Sequence, residues 1–297
     1  MEPTLHIAPQ SQSQPEAKAS DRLSAGASSW SDEDLGLGSP IPRGDEERRR
    51  RVAGELGRSQ SRRIDNSRIA NEVVMAHRLS QQEKKNLHFI LQRYRLLCNR
   101  MIEVARNLDA KVFLITSAIA EEGKTLTAAN LAFALSAVEN KKSLLIDLDL
   151  RRFSLHSILG LNAASDEPHF LLNNDWHNSL WSARPGLDVL LATRAAENPD
   201  ELLNSSALQS LIDEARLEYD YVLIDSAPLL LAADTHALLP LIDQAMLVVR
   251  ADRTPIQCSQ DALKVLGDKA VGCILNDVKR LKYQDYYNGY YGTDDRQ

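Results

Sequence analysis

A lysine and a threonine follow a glycine in the run Ala118-Ile119-Ala120-Glu121-Glu122-Gly123-Lys124-Thr125. Before it lies an apolar, strand-like run, and after it an alanine-rich, helix-like one. An ammonium, a hydroxyl and a glycine in that order are the parts of a phosphate cradle, the P-loop frame. Backbone N–H groups at the helix start surround phosphate oxygens. Lys124 would reach the β and γ phosphates, and Thr125 would offer its hydroxyl to Mg2+. The loop is poor in glycine: Ala118 stands where the frame has its first glycine, and Glu121 and Glu122 bring carboxylates near the phosphate position. Glycine permits left-handed backbone and close approach, so its loss predicts weakened binding.

Three further groups could act on a phosphate. Asp147 and Asp149, at i and i+2, end the apolar run 143–147 and precede Arg151 and Arg152. In an open α/β sheet, ligands bind at the carboxyl ends of the strands. Carboxylates there suit Mg2+, directly or through water, and one can take a proton from an attacking hydroxyl. Read alone, either aspartate is a turn residue capping the next helix. Asp225 ends the apolar run 221–225, a Walker B pattern in which the carboxylate holds Mg2+. Finally, five of the eight tyrosines, Tyr283, Tyr286, Tyr287, Tyr290 and Tyr291, fall in the last 15 residues among Gly, Asn, Gln and Asp. The plain reading is a sticky or partner-docking tail. The chemical reading is a set of phosphate acceptors, whose phenols ionise near pH 10 and need a base or a polarising metal site to attack at neutral pH.

The elements that must position these groups alternate. Runs 112–116, 143–147, 187–191, 221–225, 245–249 and 271–275 read as buried strands. Apolar residues at three- and four-residue spacing predict a helix from about 80 to 107. Helices are also predicted over 124–138, from Asn198 with Pro199 in its first turn, and over 255–266. The pattern predicts an α/β fold: a mostly parallel sheet with helices on both faces.

The 297 residues allow one large α/β domain with an extension. Residues 1–65 are rich in Ser, Gln, Pro, Gly and charge and predict a disordered arm. A helical lead-in over 66–109, an ATP-binding domain over 110–280 and a tyrosine-rich tail over 281–297 complete the expected order. A net charge of -6 argues against nucleic acid as a partner. Cys98, Cys258 and Cys273 are odd in number and scattered, which suggests buried free thiols rather than a zinc site or disulfides. No signal-peptide pattern opens the chain, and the most apolar window, 221–249, is broken by Asp and Pro. A soluble, cytoplasmic protein is expected, with any membrane role supplied by a partner.

With these motifs in order, residues 85–291 resemble the bacterial tyrosine kinases of exopolysaccharide loci, within the MinD/ParA-like P-loop superfamily. The resemblance is carried by Asp147-Leu148-Asp149-Leu150-Arg151-Arg152 and the tyrosine-rich end. The segments 116–118, 198–203 and 275–278 also carry it. It implies nucleotide contacts at Glu122, Gly123, Lys124, Thr125, Leu126 and Asn276, with Asn276 near the adenine. It implies Mg2+ at Thr125, Asp147 and Asp225, and catalysis by Lys124, Asp147 and Asp149, one aspartate being the base. ATP and Mg2+ would be the cofactors, and the five tail tyrosines the acceptors, in trans within a homo-oligomeric ring. The family's ring helix best matches Gln92, Arg95 and Cys98. A membrane-embedded polysaccharide co-polymerase that regulates chain length would activate the kinase, and a cognate tyrosine phosphatase would reset it. Two other readings stay open: a non-catalytic nucleotide-binding regulator, which the glycine-poor loop favours, and a MinD/ParA-like ATPase. Ile119 stands where such ATPases carry a signature lysine, which disfavours the second.

Overall fold

A computed structural model describes residues 4–6, 62–63, 87–138, 141–152, 154–160, 170–172, 175–192 and 195–278. The chain divides into two units, residues 8–59 and the remainder. Only the second contains described residues, and its strands form one sheet in the order β1-β9-β8-β3-β7-β4-β6-β5-β2.

At the N-terminal end come β1 (Thr4–His6) and β2 (Arg62–Arg63), followed by α1 (Leu87–Leu108). Next are β3 (Val112–Ser117), α2 (Lys124–Leu135), β4 (Ser143–Leu148) and the short α3 (Leu155–Ile158). A hairpin follows, β5 (Leu180–Arg184) and β6 (Leu187–Leu190), then α4 (Pro199–Leu203) and α5 (Ser206–Glu218). The chain continues through β7 (Tyr221–Ser226), β8 (Gln244–Arg250), α6 (Ile256–Leu266) and β9 (Ala270–Asn276).

All six strands read from the sequence are present and mutually parallel. Three strands were not anticipated. β5 runs antiparallel to β6 and extends the sheet at one side. The arm expected to be disordered supplies β1, antiparallel to β9, and β2, parallel to β5. The rest of that arm, like the tyrosine-rich tail, lies outside the described residues.

Alternation along each strand sends side chains to two cores. Phe113, Ile115, Leu145, Leu223, Met246 and Val248 pack under α1 and α2, while Val112, Leu114, Ile146, Val222, Ile224 and Leu247 pack under α5 and α6. α1 buries Tyr94, Leu97, Cys98, Met101, Ile102 and Ala105, the predicted three-four spacing. Cys98 therefore faces the core, while of the other ring-helix matches Arg95 is exposed and Gln92 half-buried. Cys258 and Cys273 are half-buried rather than buried. α2, between sheet and α1, is buried nearly all round, and small alanines let it lie close. Among the described residues, no helix is long and apolar enough to cross a membrane.

The predicted helix from Asn198 is two helices. Asn204 ends α4, and Ser205 caps α5 by accepting the Leu208 N–H at 3.2 Å.

β3 carries the glycine loop, and its entry is pinned by one carboxylate. Asp243 Oδ2 accepts the N–H groups of Lys111 and Val112, each at 2.8 Å, and the Arg216 guanidinium lies 2.7 Å away. Partial burial pushes this carboxyl up, but the Val112 N–H, Arg216 and the Lys111 N–H outweigh it and hold it below the ordinary range. A depressed acid stabilises above its unfolded pKa of about 3.9 and loses that contribution as pH falls through the folded value. Asp243→Ala is expected to lower unfolding free energy by about 2 kcal/mol at pH 7. Urea titrations across pH check this: the difference from wild type should shrink toward zero below about pH 4.

Candidate functional site

The loop between β3 and α2 follows from two left-handed residues. Glu121 has φ 66° and Gly123 has φ 89°. The second suits glycine: a Cβ there would lie 2.1 Å from Asn276 Nδ2. The first costs about 1 kcal/mol for a residue with a Cβ. The first-turn N–H groups of α2 have no intrahelical partners. Among the described residues, the N–H groups of 121–125 donate to no protein acceptor. They can therefore serve an anion.

Around this loop the parallel register gathers charge. Asp147 and Asp225 are direct neighbours across β4 and β7, both fully buried. Lys124, 8% exposed, donates from Nζ to Asp149 Oδ2 at 2.6 Å and lies 3.9 Å from Asp225 Oδ1. Thr125 Oγ1 is 3.3 Å from Lys124 Nζ and 3.4 Å from the Ser154 hydroxyl. Asp147 Oδ1 accepts the Asp149 N–H at 3.2 Å, and Asp149 Oδ1 accepts the Arg152 N–H at 3.0 Å. Lys124, Thr125, Asp147, Asp149 and Asp225, read from three separate motifs, thus meet in one place.

One ammonium faces three carboxylates, and their proton affinities respond. Burial raises Asp225, and although Lys124 opposes it the pKa stands at about 6. Burial, then the charges of Asp225 and Asp149, push Asp147 well above the ordinary range. Burial alone would lower Lys124, but Asp225, Asp149 and Asp147 together raise it. Asp147 Oδ2 and both oxygens of Asp225 are buried without a hydrogen-bond partner among the described residues. Such oxygens are costly unless a cation or water serves them. They fit Mg2+, a hard ion that takes oxygen ligands and keeps several waters. Among the described residues, no group of three or more His, Cys, Asp or Glu side chains is arranged to hold a metal alone.

The remaining expected residues are placed as follows. Leu126 lies half-buried in the first turn of α2, and its carbonyl accepts Asn130 Nδ2 at 3.0 Å. Asn276 abuts the loop, donating from Nδ2 to the Glu122 carbonyl at 2.9 Å. The Glu122 carboxylate was expected near phosphate, but it accepts the Ile119 N–H at 2.9 Å and the Thr254 hydroxyl. A buried carboxylate must find donors, and the loop base and the segment after β8 supply them. Tyr283, Tyr286, Tyr287, Tyr290 and Tyr291 lie outside the described residues. Two residues escaped notice in the sequence, Arg250 and Thr254, both bonded to the loop. The available signal was a charged residue closing the apolar strand β8 at the ligand edge.

A protein-family model described as an AAA domain matches residues 110–268, which include Lys124, Thr125, Asp147, Asp149 and Asp225. The tyrosine-protein kinase YwqD of Bacillus subtilis (strain 168) is 33% identical over 234 residues, covering 77% of this chain and 94% of YwqD. The succinoglycan biosynthesis transport protein ExoP of Rhizobium meliloti (strain 1021) is 34% identical over 207 residues, covering 65% of this chain. This match spans 25% of ExoP. The solved kinase domain of the Escherichia coli tyrosine kinase ETK aligns with a TM-score of 0.59 at 26% identity, over 65% of this chain and 77% of that one. An AAA-type P-loop domain is a nucleotide-binding fold, and the loop, the acidic strand tips and these relatives agree: the chain belongs to the bacterial tyrosine kinase family.

Proposed function

We propose that this protein is an ATP-dependent tyrosine autokinase that transfers the γ-phosphoryl group to tyrosines of its own C-terminal tail. The observation that carries the reading is the buried cluster of Lys124, Asp147, Asp149 and Asp225 beside unpaired loop N–H groups. A triphosphate supplies the anion those donors lack. It also offers Lys124 a partner other than Asp149.

In the proposed reaction the phenolic oxygen of a tail tyrosine bonds to the γ-phosphorus as the bond to the bridging oxygen of ADP breaks. The phenolic proton passes to Asp147 or Asp149. Lys124 neutralises charge on the phosphates. Thr125, Asp147 and Asp225 would hold Mg2+, which when bound would balance phosphate charge. Much of the rate comes from positioning, which a neighbouring copy presenting its tail would supply.

The relatives support a proposed setting. ExoP is named for succinoglycan biosynthesis transport. The proposed role is control of exopolysaccharide or capsule polymerisation and export from the cytoplasmic face of the membrane. A membrane-embedded chain-length regulator would be the activating partner, and a tyrosine phosphatase would reverse the modification. A non-catalytic, nucleotide-binding regulator is the second reading. It is favoured by the 2.6 Å pair of Lys124 with Asp149, which a triphosphate must break.

Two outcomes are expected. Mass spectrometry of the protein from its own host should find phosphate on Tyr283, Tyr286, Tyr287, Tyr290 or Tyr291. Lys124→Ala or Asp147→Asn should reduce it at least about 100-fold. Unmodified tyrosines in polysaccharide-producing cells would favour the second reading. The other outcome concerns stability. An acid with a raised folded pKa stabilises below its unfolded value of about 3.9 and costs stability as pH rises to the folded value, about 6 for Asp225. Asp225→Asn should therefore stabilise the nucleotide-free protein by about 2 kcal/mol above pH 6. Thermal melts should show the gain vanishing below about pH 4, while the same variant loses Mg2+-dependent nucleotide binding.

A further inference from the structure

The turns that the phosphate loop takes without glycine are held from outside by the ends of β8 and β9. Arg250 Nη1 donates to the carbonyl of Glu121, the residue at φ 66°, at 3.3 Å. The same guanidinium is fixed by Asp277, with Nε at 2.8 Å and Nη2 at 2.7 Å from Oδ2. Asn276 Nδ2 holds the next carbonyl, that of Glu122. The Glu122 side chain, 2% exposed, takes the hydroxyl of Thr254, whose oxygen in turn accepts the Arg250 N–H at 3.0 Å.

The consequence is set by peptide planarity. In a trans peptide the C=O of one residue and the N–H of the next point in opposite directions. Arg250, by holding the Glu121 carbonyl, turns the Glu122 N–H the other way. Asn276 does the same to the Gly123 N–H through the Glu122 carbonyl. Both N–H groups are among those that donate to no protein acceptor among the described residues. Side-chain bonds thus fix donor directions that glycine elsewhere makes accessible through its conformational freedom.

We propose that Arg250 and Thr254 are positioning residues for the nucleotide. They hold the glycine-poor loop in its phosphate-binding shape, so affinity does not suffer from the missing glycines. The proposal deepens the ATP reading above and rests on it.

Isothermal titration of the full chain with Mg-ADP tests it, on wild type, Arg250→Ala, Thr254→Val and the double variant Arg250→Ala/Glu121→Gly. Arg250→Ala should bind on the order of tenfold more weakly and Thr254→Val roughly threefold to tenfold more weakly. Glycine at 121 tolerates positive φ without the clamp, so the double variant should recover most of the lost affinity. In autophosphorylation assays the KM for ATP should rise in Arg250→Ala, with the rate at saturating ATP within about threefold of wild type. A wild-type protein that fails to bind Mg-ADP sinks the ATP reading itself. If wild type binds and both single variants match it, the positioning role is wrong. A loss in Arg250→Ala that glycine does not relieve also overturns it, because the arginine then supports the fold at large.

Discussion

The structure turns on one buried ammonium set among three buried carboxylates. Among the described residues, Lys124 is the cation paired within the cluster at the tips of β3, β4 and β7, and it reaches Asp149 while lying close to Asp225. Three carboxylates against one ammonium leave an excess of negative charge in a place water barely reaches. Burial of such groups costs far more than one ion pair returns. The protein meets this by raising the proton affinity of Asp147 and Asp225. A core built for stability alone would place apolar residues there. Keeping the aspartates makes sense where a divalent ion and phosphates complete the charge balance, and sites strained in this way are where function is expected.

The sheet makes the cluster possible. Because β3, β4 and β7 are parallel, their carboxyl ends lie on one edge, and the register sets Asp147 directly beside Asp225. The helix that follows β3 begins at the same edge, so its N-terminal N–H groups open onto the acids. The β8 and β9 tips then close the loop from its other side through Arg250, Thr254 and Asn276. Three short sequence motifs, far apart in the chain, become one site through strand order alone.

Much of this was legible in the residues. Each parallel strand is a nearly unbroken apolar run, the signature of a strand covered on both faces. The aspartates and the Gly123-Lys124-Thr125 step end or follow such runs. What stayed hidden was long-range. β5, Leu180-Trp181-Ser182-Ala183-Arg184, mixes polar and apolar residues because it lies outside the parallel core, so it does not read as a buried strand. The break between α4 and α5 rests on the Ser205 cap within a continuous helical pattern. The loop clamp joins Glu121 and Glu122 to residues more than 120 positions later. No local spacing announces it, which is why the glycine-poor loop reads as weak in sequence and well braced in three dimensions.

Under the proposed function, Lys124 and the loop N–H groups receive the phosphates of ATP opposite the acidic strand tips. A crystal structure with Mg2+ and a non-hydrolysable ATP analogue tests it most directly. Lys124 Nζ is expected to leave Asp149 for a phosphate oxygen, with the metal between the phosphates and the Asp147 and Asp225 side. A structure in which Lys124 keeps its bond to Asp149 and the analogue sits elsewhere would contradict it.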